Sequence, residues 1–387
     1  MFFLILGSIL AVLHAYVWKR MVKDTTRRGR LRRVLSAALL ALLVLLIAAV
    51  VGPRTLGLDG ASWYAWPGYL WFALVVYLFL ALLVLEPVRL ALRPWVKRGQ
   101  PPPDTDEPAR VGRRMFLART GAVAAGAAAV GLVGTGLTTA LGSPNVLRVP
   151  VRLSRLDPAF TGFRIAVVSD IHLGPLLGRA HIERIVRMIN ETEPDLVAVV
   201  GDLVDGTVAE LGPAAAPLRD LAPRDGTFFV TGNHEYFVED TAPWLQELER
   251  LGMTVLRNEN TAIRRAPAVL NLAGVNDVAG ASRSQPPDFD KALAGLAPAA
   301  PTVLLAHQPI QVAEAAQRGV DLQLSGHTHG GQMWPFHYAV AAAQPALAGL
   351  STVQDTQLYV TRGAGFWGPP VRVGAPPDIS VLTLTAD

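Results

Sequence analysis

Cysteine is absent from this 387-residue chain, which excludes disulfides and thiolate metal sites. Any metal must be held by histidine, aspartate, glutamate, asparagine or backbone oxygen. The absence identifies no compartment, though it permits an oxidising one. Histidine and acidic residues are scarce before residue 145, and six of the eight histidines lie between His172 and His329. Long stretches of the first part lack charge altogether, so the composition breaks near residue 145 and the two parts are read separately. No internal repeat is apparent. The formal charge of +4 and pI near 9.6 do not indicate nucleic acid, because the cations flank apolar segments instead of covering a folded face.

Four apolar segments stand out, roughly residues 2–18, 34–51, 67–85 and 116–137. Each approaches the about 20 residues that span a hydrocarbon core. The first is short and contains His14; the fourth is rich in Gly and Ala. Lys19, Arg20, Lys23, Arg27, Arg28, Arg30, Arg32 and Arg33 fill the first connection, and Arg93, Lys97, Arg98, Arg110, Arg113 and Arg114 the third, whereas the second has only Arg54. Basic loops favour the cytoplasmic side. The expected arrangement is a multi-pass protein of the cell membrane, with both basic loops inside and everything after the fourth span extracytoplasmic.

The expected divisions are three transmembrane helices over 1–92, a basic, Pro-rich cytoplasmic linker over 93–114, a fourth span over 115–142, and a folded domain over 146–387. Residues 100–108 (Gln-Pro-Pro-Pro-Asp-Thr-Asp-Glu-Pro) read as extended, since proline removes donors and blocks helix. Arg113-Arg114-Met115-Phe116-Leu117 ahead of a Gly/Ala-rich run resembles a twin-arginine export signal; ordinary positive flanking of a span reads equally well. Ala140-Leu141-Gly142 admits cleavage, so tethering stays open.

After Phe163, short β-rich apolar runs recur at 164–168, 196–200, 227–230, 269–272, 302–305, 321–324, 357–360 and 379–384, with helical spacing at 182–189, 244–251 and 289–296. An α/β sandwich fits this mixture. The polar residues fall on the turns directly after the strands: Asp170-Ile171-His172, Gly201-Asp202, Gly232-Asn233-His234-Glu235, His307 and Gly326-His327-Thr328-His329. Residues at strand ends converge on one sheet edge. Two divalent cations about 3.5–4 Å apart need a bridging carboxylate and ligands that leave water positions open. Asp202, after a glycine that permits a tight turn, suits the bridge. Imidazole favours zinc, iron or manganese over magnesium, and a set of two Asp, four His and one Asn stays positive enough to attract a phosphate dianion.

These blocks, in this order and at these intervals over about 240 residues, resemble the calcineurin-like metallophosphoesterases. Gly-His-Thr-His-Gly-Gly-Gln with a nearby Arg-Gly is similar to the bacterial membrane-associated phosphohydrolases of that family. Together with the apolar segments, the expected fold is an N-terminal four-helix transmembrane region followed by an α/β metallophosphoesterase sandwich, the sandwich being what the resemblance implies. The resemblance also implies a binuclear metal centre (manganese, iron or zinc) with Asp170, His172, Asp202 and His329 around one ion and Asp202, Asn233, His307 and His327 around the other. It implies hydrolysis of a phosphoester (phosphodiester, phosphomonoester or phospholipid-related) by hydroxide activated between the metals, and the charge distribution puts that reaction at the outer membrane face. His234 is then expected beside the phosphate and Glu235 as its orienting partner; Arg362 is the expected phosphate contact.

His181, opening a predicted helix, is expected at the surface or as a cap, and His337 as wall or loop. Residues 333–338 and Phe366-Trp367 border the site or pack in the core; exposed, they would suit lipid. The expected partners are a phosphoester substrate, with a lipid-linked one among the options, and the membrane, but no nucleic acid; oligomeric state is unreadable. An alternative is a membrane-anchored sensor or scaffold that uses the fold only to bind ligand, and the presence of every expected ligand and of His234 weighs against it. Transport through the spans is poorly supported, because His14 and Glu86 are almost their only ionisable residues.

Overall fold

A computed structural model describes residues 2–97, 112–238 and 240–386. The chain divides into two compact units, Met1–Leu56 with Gly60–Leu137, and Gly57–Asp59 with Thr138–Asp387. The expected linker at 100–108 lies outside the described residues.

The first unit is helical, as its Leu-, Ala- and Val-rich runs dictate. Its principal helices are Phe2–Val17, Arg30–Leu56, Ser62–Val84 and Arg113–Leu141, the last ending just inside the second unit. Among the described residues three helical stretches are long and apolar enough to cross a membrane: Arg30–Pro53, Ser62–Ala91 and Arg113–Leu141. Phe2–Val17 has only 16 residues before the backbone widens into a π-helix at Trp18–Lys23. At 1.5 Å per residue it falls short of a core about 30 Å thick. Helices 30–56 and 62–84 meet closely at Gly68, where a Cβ would lie 2.5 Å from that of Ala49. Several polar groups of this unit are paired. Asp24 faces Lys19 (3.3 Å), Arg20 (3.0 Å) and Arg89 (3.3 Å), and Glu86 takes Arg20 and the Tyr16 hydroxyl. His14 contacts the Leu10 carbonyl and accepts from Trp71 Nε1.

The second unit contains twelve described strands: β1 (Asn145–Arg152), β2 (Arg164–Val168), β3 (Leu196–Val200), β4 (Thr227–Val230), β5 (Met253–Val255), β6 (Glu259–Arg265), β7 (Ala268–Gly274), β8 (Thr302–Leu305), β9 (Leu322–Ser325), β10 (Gly349–Val353), β11 (Thr356–Val360) and β12 (Asp378–Thr385). They form two six-stranded sheets, β1-β12-β2-β3-β4-β5 and β10-β11-β9-β8-β7-β6. Strands β2 to β5 run parallel in one sheet, as do β7, β8, β9 and β11 in the other.

The sheets pack face to face. In β3, Leu196, Ala198 and Val200 point to the opposite sheet, where Leu270, Leu272, Val303, Leu305, Leu322 and Leu324 meet them. Val197 and Val199 point outward against Ile182, Ile185 and Ile189 of helix Arg179–Asn190 and Trp244, Leu245 and Leu248 of helix Ala242–Arg250. A strand buried on both faces has no polar alternation, which is why this one reads as a continuous apolar run. Each such Val or Leu contributes about 1.5–3 kcal/mol on burial. The α/β sandwich is thus present. The helix expected over 289–296 spans only Phe289–Ala292, with Leu293 as its cap; Gly295 and Pro298 follow. His181 is buried instead of lying at the surface, and its ring bonds to the Ala364 backbone of the loop after β11.

Candidate metal centre

Each expected ligand stands just beyond the C-terminal end of a parallel strand: Asp170 and His172 after β2, Asp202 after β3, Asn233 after β4, His307 after β8, and His327 and His329 after β9. Five of these seven residues have left-handed backbone: Asp170 (φ 52°), His172 (51°), Asp202 (53°), His327 (70°) and His329 (51°). That conformation costs a non-glycine residue on the order of 1 kcal/mol or more and persists only where neighbours enforce it. Here the carboxylates serve as turn anchors. Asp170 accepts from the His327 N–H at 2.9 Å and Asp202 from the His234 N–H at 2.8 Å. Glycine is required beside both. A Cβ on Gly232 would meet Asp202 Oδ1 at 2.2 Å, and one on Gly326 would meet Asp170 Oδ2 at 2.3 Å.

The donors fall into groups. Asp170, His172 and His329 converge, with His329 Nε2 3.1 Å from both Asp170 Oδ1 and His172 Nε2. Asp202, His307 and His327 form a second group. Asn233 Oδ1 belongs with it, 3.2 Å from His307 Nε2 and 2.8 Å from His327 Nδ1. Asp202 stands between the two: its Oδ2 is 3.2 Å from His307 Nε2 and 3.9 Å from His172 Nε2. Burial pushes His327 and His329 down to about 4, whereas at His307 burial is outweighed by the Asp202 and Asp170 carboxylates, which hold it well above the usual imidazole range; a bound cation would take the place of that proton. Buried nitrogen and oxygen donors of this kind, without thiolate, fit divalent cations.

A third group was not expected. Asp205 takes Nδ1 of His172 at 3.2 Å with one oxygen and Nδ1 of His234 with the other. Both Nε2 atoms are thereby left facing the ligand groups, and His234 Nε2 is 4.0 Å from Asp202 Oδ2. Burial alone would raise the Asp205 carboxyl, but the two imidazoles hold it well below the usual range. Burial alone would lower His234, and the Asp205 and Asp202 charges outweigh it, lifting the ring to about 9.

Glu235 does not orient His234. The 3-10 turn His234–Tyr236 directs its carboxylate inward, where it accepts the backbone N–H groups of Asp202 (3.0 Å), Leu203 (2.8 Å) and Gly232 (2.6 Å). Burial pushes this group up to about 7; its role is to tie the β3 and β4 loops together. Arg362 is turned to Asp378, through its backbone N–H at 3.2 Å and Nη1 at 3.3 Å, so a carboxylate competes with phosphate for it.

Arg372, also unexpected, is fully buried. Its guanidinium donates to the carbonyls of Gly365 (2.8 Å), Arg362 (2.9 Å), Ala375 (3.0 Å) and His329 (3.2 Å), and Nη2 lies 3.1 Å from His329 Nδ1. It therefore fixes the His329 turn to the 362–365 loop, which in turn bonds to the Ser169 and Asp170 carbonyls. His337 opens the short helix His337–Ala343 and is half-buried. Phe366 is buried, whereas Trp367 is exposed beside His234.

Residues 163–331 match the family model described as calcineurin-like phosphoesterase. The chain is 41% identical over 263 residues to a bovine protein described as a transmembrane protein with metallophosphoesterase domain, covering 65% of this chain and 59% of the relative. It is 39% identical over 260 residues to an uncharacterized metallophosphoesterase of Helicobacter pylori (66% and 68% covered). It is 31% identical over 286 residues to one of Bacillus subtilis (71% and 98%). The chain thus spans about three fifths of the bovine relative's length.

Proposed function

Since this chain belongs to the calcineurin-like metallophosphoesterase family, we propose that it hydrolyses a phosphoester at a centre of two divalent metal ions. The observation that carries this reading is Asp202, whose Oδ2 stands between an Asp170–His172–His329 group and a His307–His327–Asn233 group. Manganese, iron or zinc held there would supply Lewis-acid charge at the phosphoryl oxygens and make a water more acidic.

The protein's own residues do the rest. Asp205 fixes the tautomers of His172 and His234 as Nδ1–H donors, which presents His172 Nε2 as a ligand and His234 Nε2 to the substrate. His234 is buried at the margin of the centre, within reach of the ester oxygen that departs or of the charge on the phosphoryl group. Glu235 and Arg372 keep the ligand-bearing loops in register.

We read the catalytic unit as lying at the outer face of a cell membrane, and the clustering of Lys and Arg in the connections before Arg30 and before Arg113 supports this.

The test is hydrolysis of bis-p-nitrophenyl phosphate and p-nitrophenyl phosphate by the full chain in detergent, stripped of metal and then supplied separately with manganese, zinc or iron. Turnover restored only by metal is expected, and the preferred ester separates diesterase from monoesterase. A folded protein with two ions bound and no turnover of either ester would overturn catalysis and leave a ligand-binding module.

A further inference from the structure

In the catalytic unit, five aromatic side chains are exposed among the described residues: Phe237, Trp334, Phe336, Tyr338 and Trp367. Four of them lie on segments that follow strand ends bearing candidate ligands, and the fifth, Trp367, lies on the loop after β11, whose Ala364 and Gly365 bond to the Ser169 and Asp170 carbonyls. Phe237 comes three residues after His234, Trp334 to Tyr338 follow His329, and Trp367 follows Arg362. An even scatter of surface aromatics would need no explanation; confinement to the loops of one edge does.

Two of the rings touch the site. Phe237 is 60% exposed with its ring centroid 4.9 Å from that of His234, and Trp367 is 48% exposed at 5.9 Å. Trp367 is firmly seated. Its N–H donates to Gln332 Oε1 at 3.0 Å, while Gln332 Nε2 donates to the carbonyls of Trp367 (2.9 Å) and Pro369 (3.0 Å). Strand-like bonds join Val373 to Gln332 and Trp334 to Val373, so the segments carrying Trp334 and Trp367 form one zipped strip. The Gln332 amide is used up by this strip and does not read a ligand. A nucleobase or sugar would need free donors and acceptors beside the rings, whereas a hydrocarbon needs only their faces.

Resting on the phosphoesterase reading above, we infer that Phe237 and Trp367 form an apolar saddle for the departing alcohol, and that the substrate is a phosphoester of a hydrocarbon chain. In its hydrolysis the oxygen of water bonds to phosphorus and the ester P–O bond breaks. The proton lost by the water ends on the alcohol oxygen, giving a long-chain alcohol and the remaining phosphate. His234 lies against both rings, so the group it serves is the one they cover. The Arg113–Leu141 helix, long and apolar enough to cross a membrane, precedes this unit in the chain, and a hydrocarbon-chain ester is a substrate that a membrane supplies.

The test is kcat/KM of the metal-loaded full chain in nanodiscs for alkyl phosphates and methyl alkyl phosphodiesters with chains of about 2 to 10 carbons, kept monomeric in solution. Each methylene lying on the rings should add up to about fourfold, and a rise of at least about tenfold across the series is expected. Phe237→Ser with Trp367→Ser should flatten that rise, and the Leu pair at the same positions should restore part of it. A flat series in the unaltered protein, with bis-p-nitrophenyl phosphate still turned over, would overturn the saddle and spare the phosphoesterase reading. A rise that survives in a folded Ser pair, or a nucleoside ester preferred to every alkyl ester, would also overturn it. No turnover of any ester with any metal would remove both readings.

Discussion

The carboxylate of Asp205 grips Nδ1 of His234, and its second oxygen reaches Nδ1 of His172 at 3.2 Å. One side chain thus sets the ring orientation of a candidate ligand and of the candidate acid. Asp205→Asn removes the charge and can offer only one acceptor oxygen. Turnover should fall by about 10- to 100-fold, as for other partners of ligating histidines, with weaker metal binding at the Asp170–His172–His329 group. Steady-state kinetics beside measured metal content checks this; activity within twofold of the unaltered protein would contradict it.

His234 and Asp202 should separate chemistry from metal binding. His234→Ala is expected to lower kcat by about 10²- to 10⁴-fold while bound metal changes little, because no ligand is lost. Asp202→Asn should lose metal and activity together. An Asp202→Asn protein that keeps two ions would refute the shared position of that carboxylate.

Arg372 should matter to folding as well as to the centre. Arg372→Met strands several buried carbonyls, each costing about 1–3 kcal/mol unpaired, and frees the His329 turn. The thermal midpoint should fall and metal affinity weaken, with Arg372→Lys intermediate in both. Calorimetry and metal titration provide the readout, and an unchanged midpoint would show the clamp to be dispensable.

His181 gives a prediction about pH. Burial, reinforced by Arg184, lowers its pKa to about 4 against 6.5 for the free side chain, although the ring bonds to the Ala364 backbone. Nε2 has no hydrogen-bond partner among the described residues. The unfolded chain binds the proton more readily, so stability from the neutral ring is complete above pH 6.5 and drains away as pH falls toward 4. His181→Phe should remove that part of the acid slope, on the order of 3 kcal/mol at most. Thermal midpoints across pH 4–7 measure it, and identical slopes would discount His181.

The legibility of these features follows their physics. Leu196–Val200 announced itself because both of its faces are buried, and the ligands because each follows such a run. Strand β6 is a sheet edge with the sequence Glu-Asn-Thr-Ala-Ile-Arg-Arg, which has no apolar pattern to find. Asp205 looks like any loop aspartate until folding carries it to His234, 29 residues away; the Asp-x-x-Asp spacing after β3 was the one available signal. Glu235 sits next to His234 in sequence, but a 3-10 turn sends neighbouring side chains in different directions. Arg372, in Pro-Pro-Val-Arg-Val, reads as a surface cation, and its burial comes from carbonyls gathered out of three separate segments.

Both candidate metal groups draw on both sheets: Asp170, His172, Asp202 and Asn233 come from one, His307, His327 and His329 from the other. An ion in either place is therefore a rivet through the sandwich as well as a reagent. Prising the layers apart at this edge and losing the metal would be one event, so a chelator should act on this protein as a mechanical weakness before it acts as an inhibitor of chemistry. Protease susceptibility of the strand-end loops should rise in step with metal release.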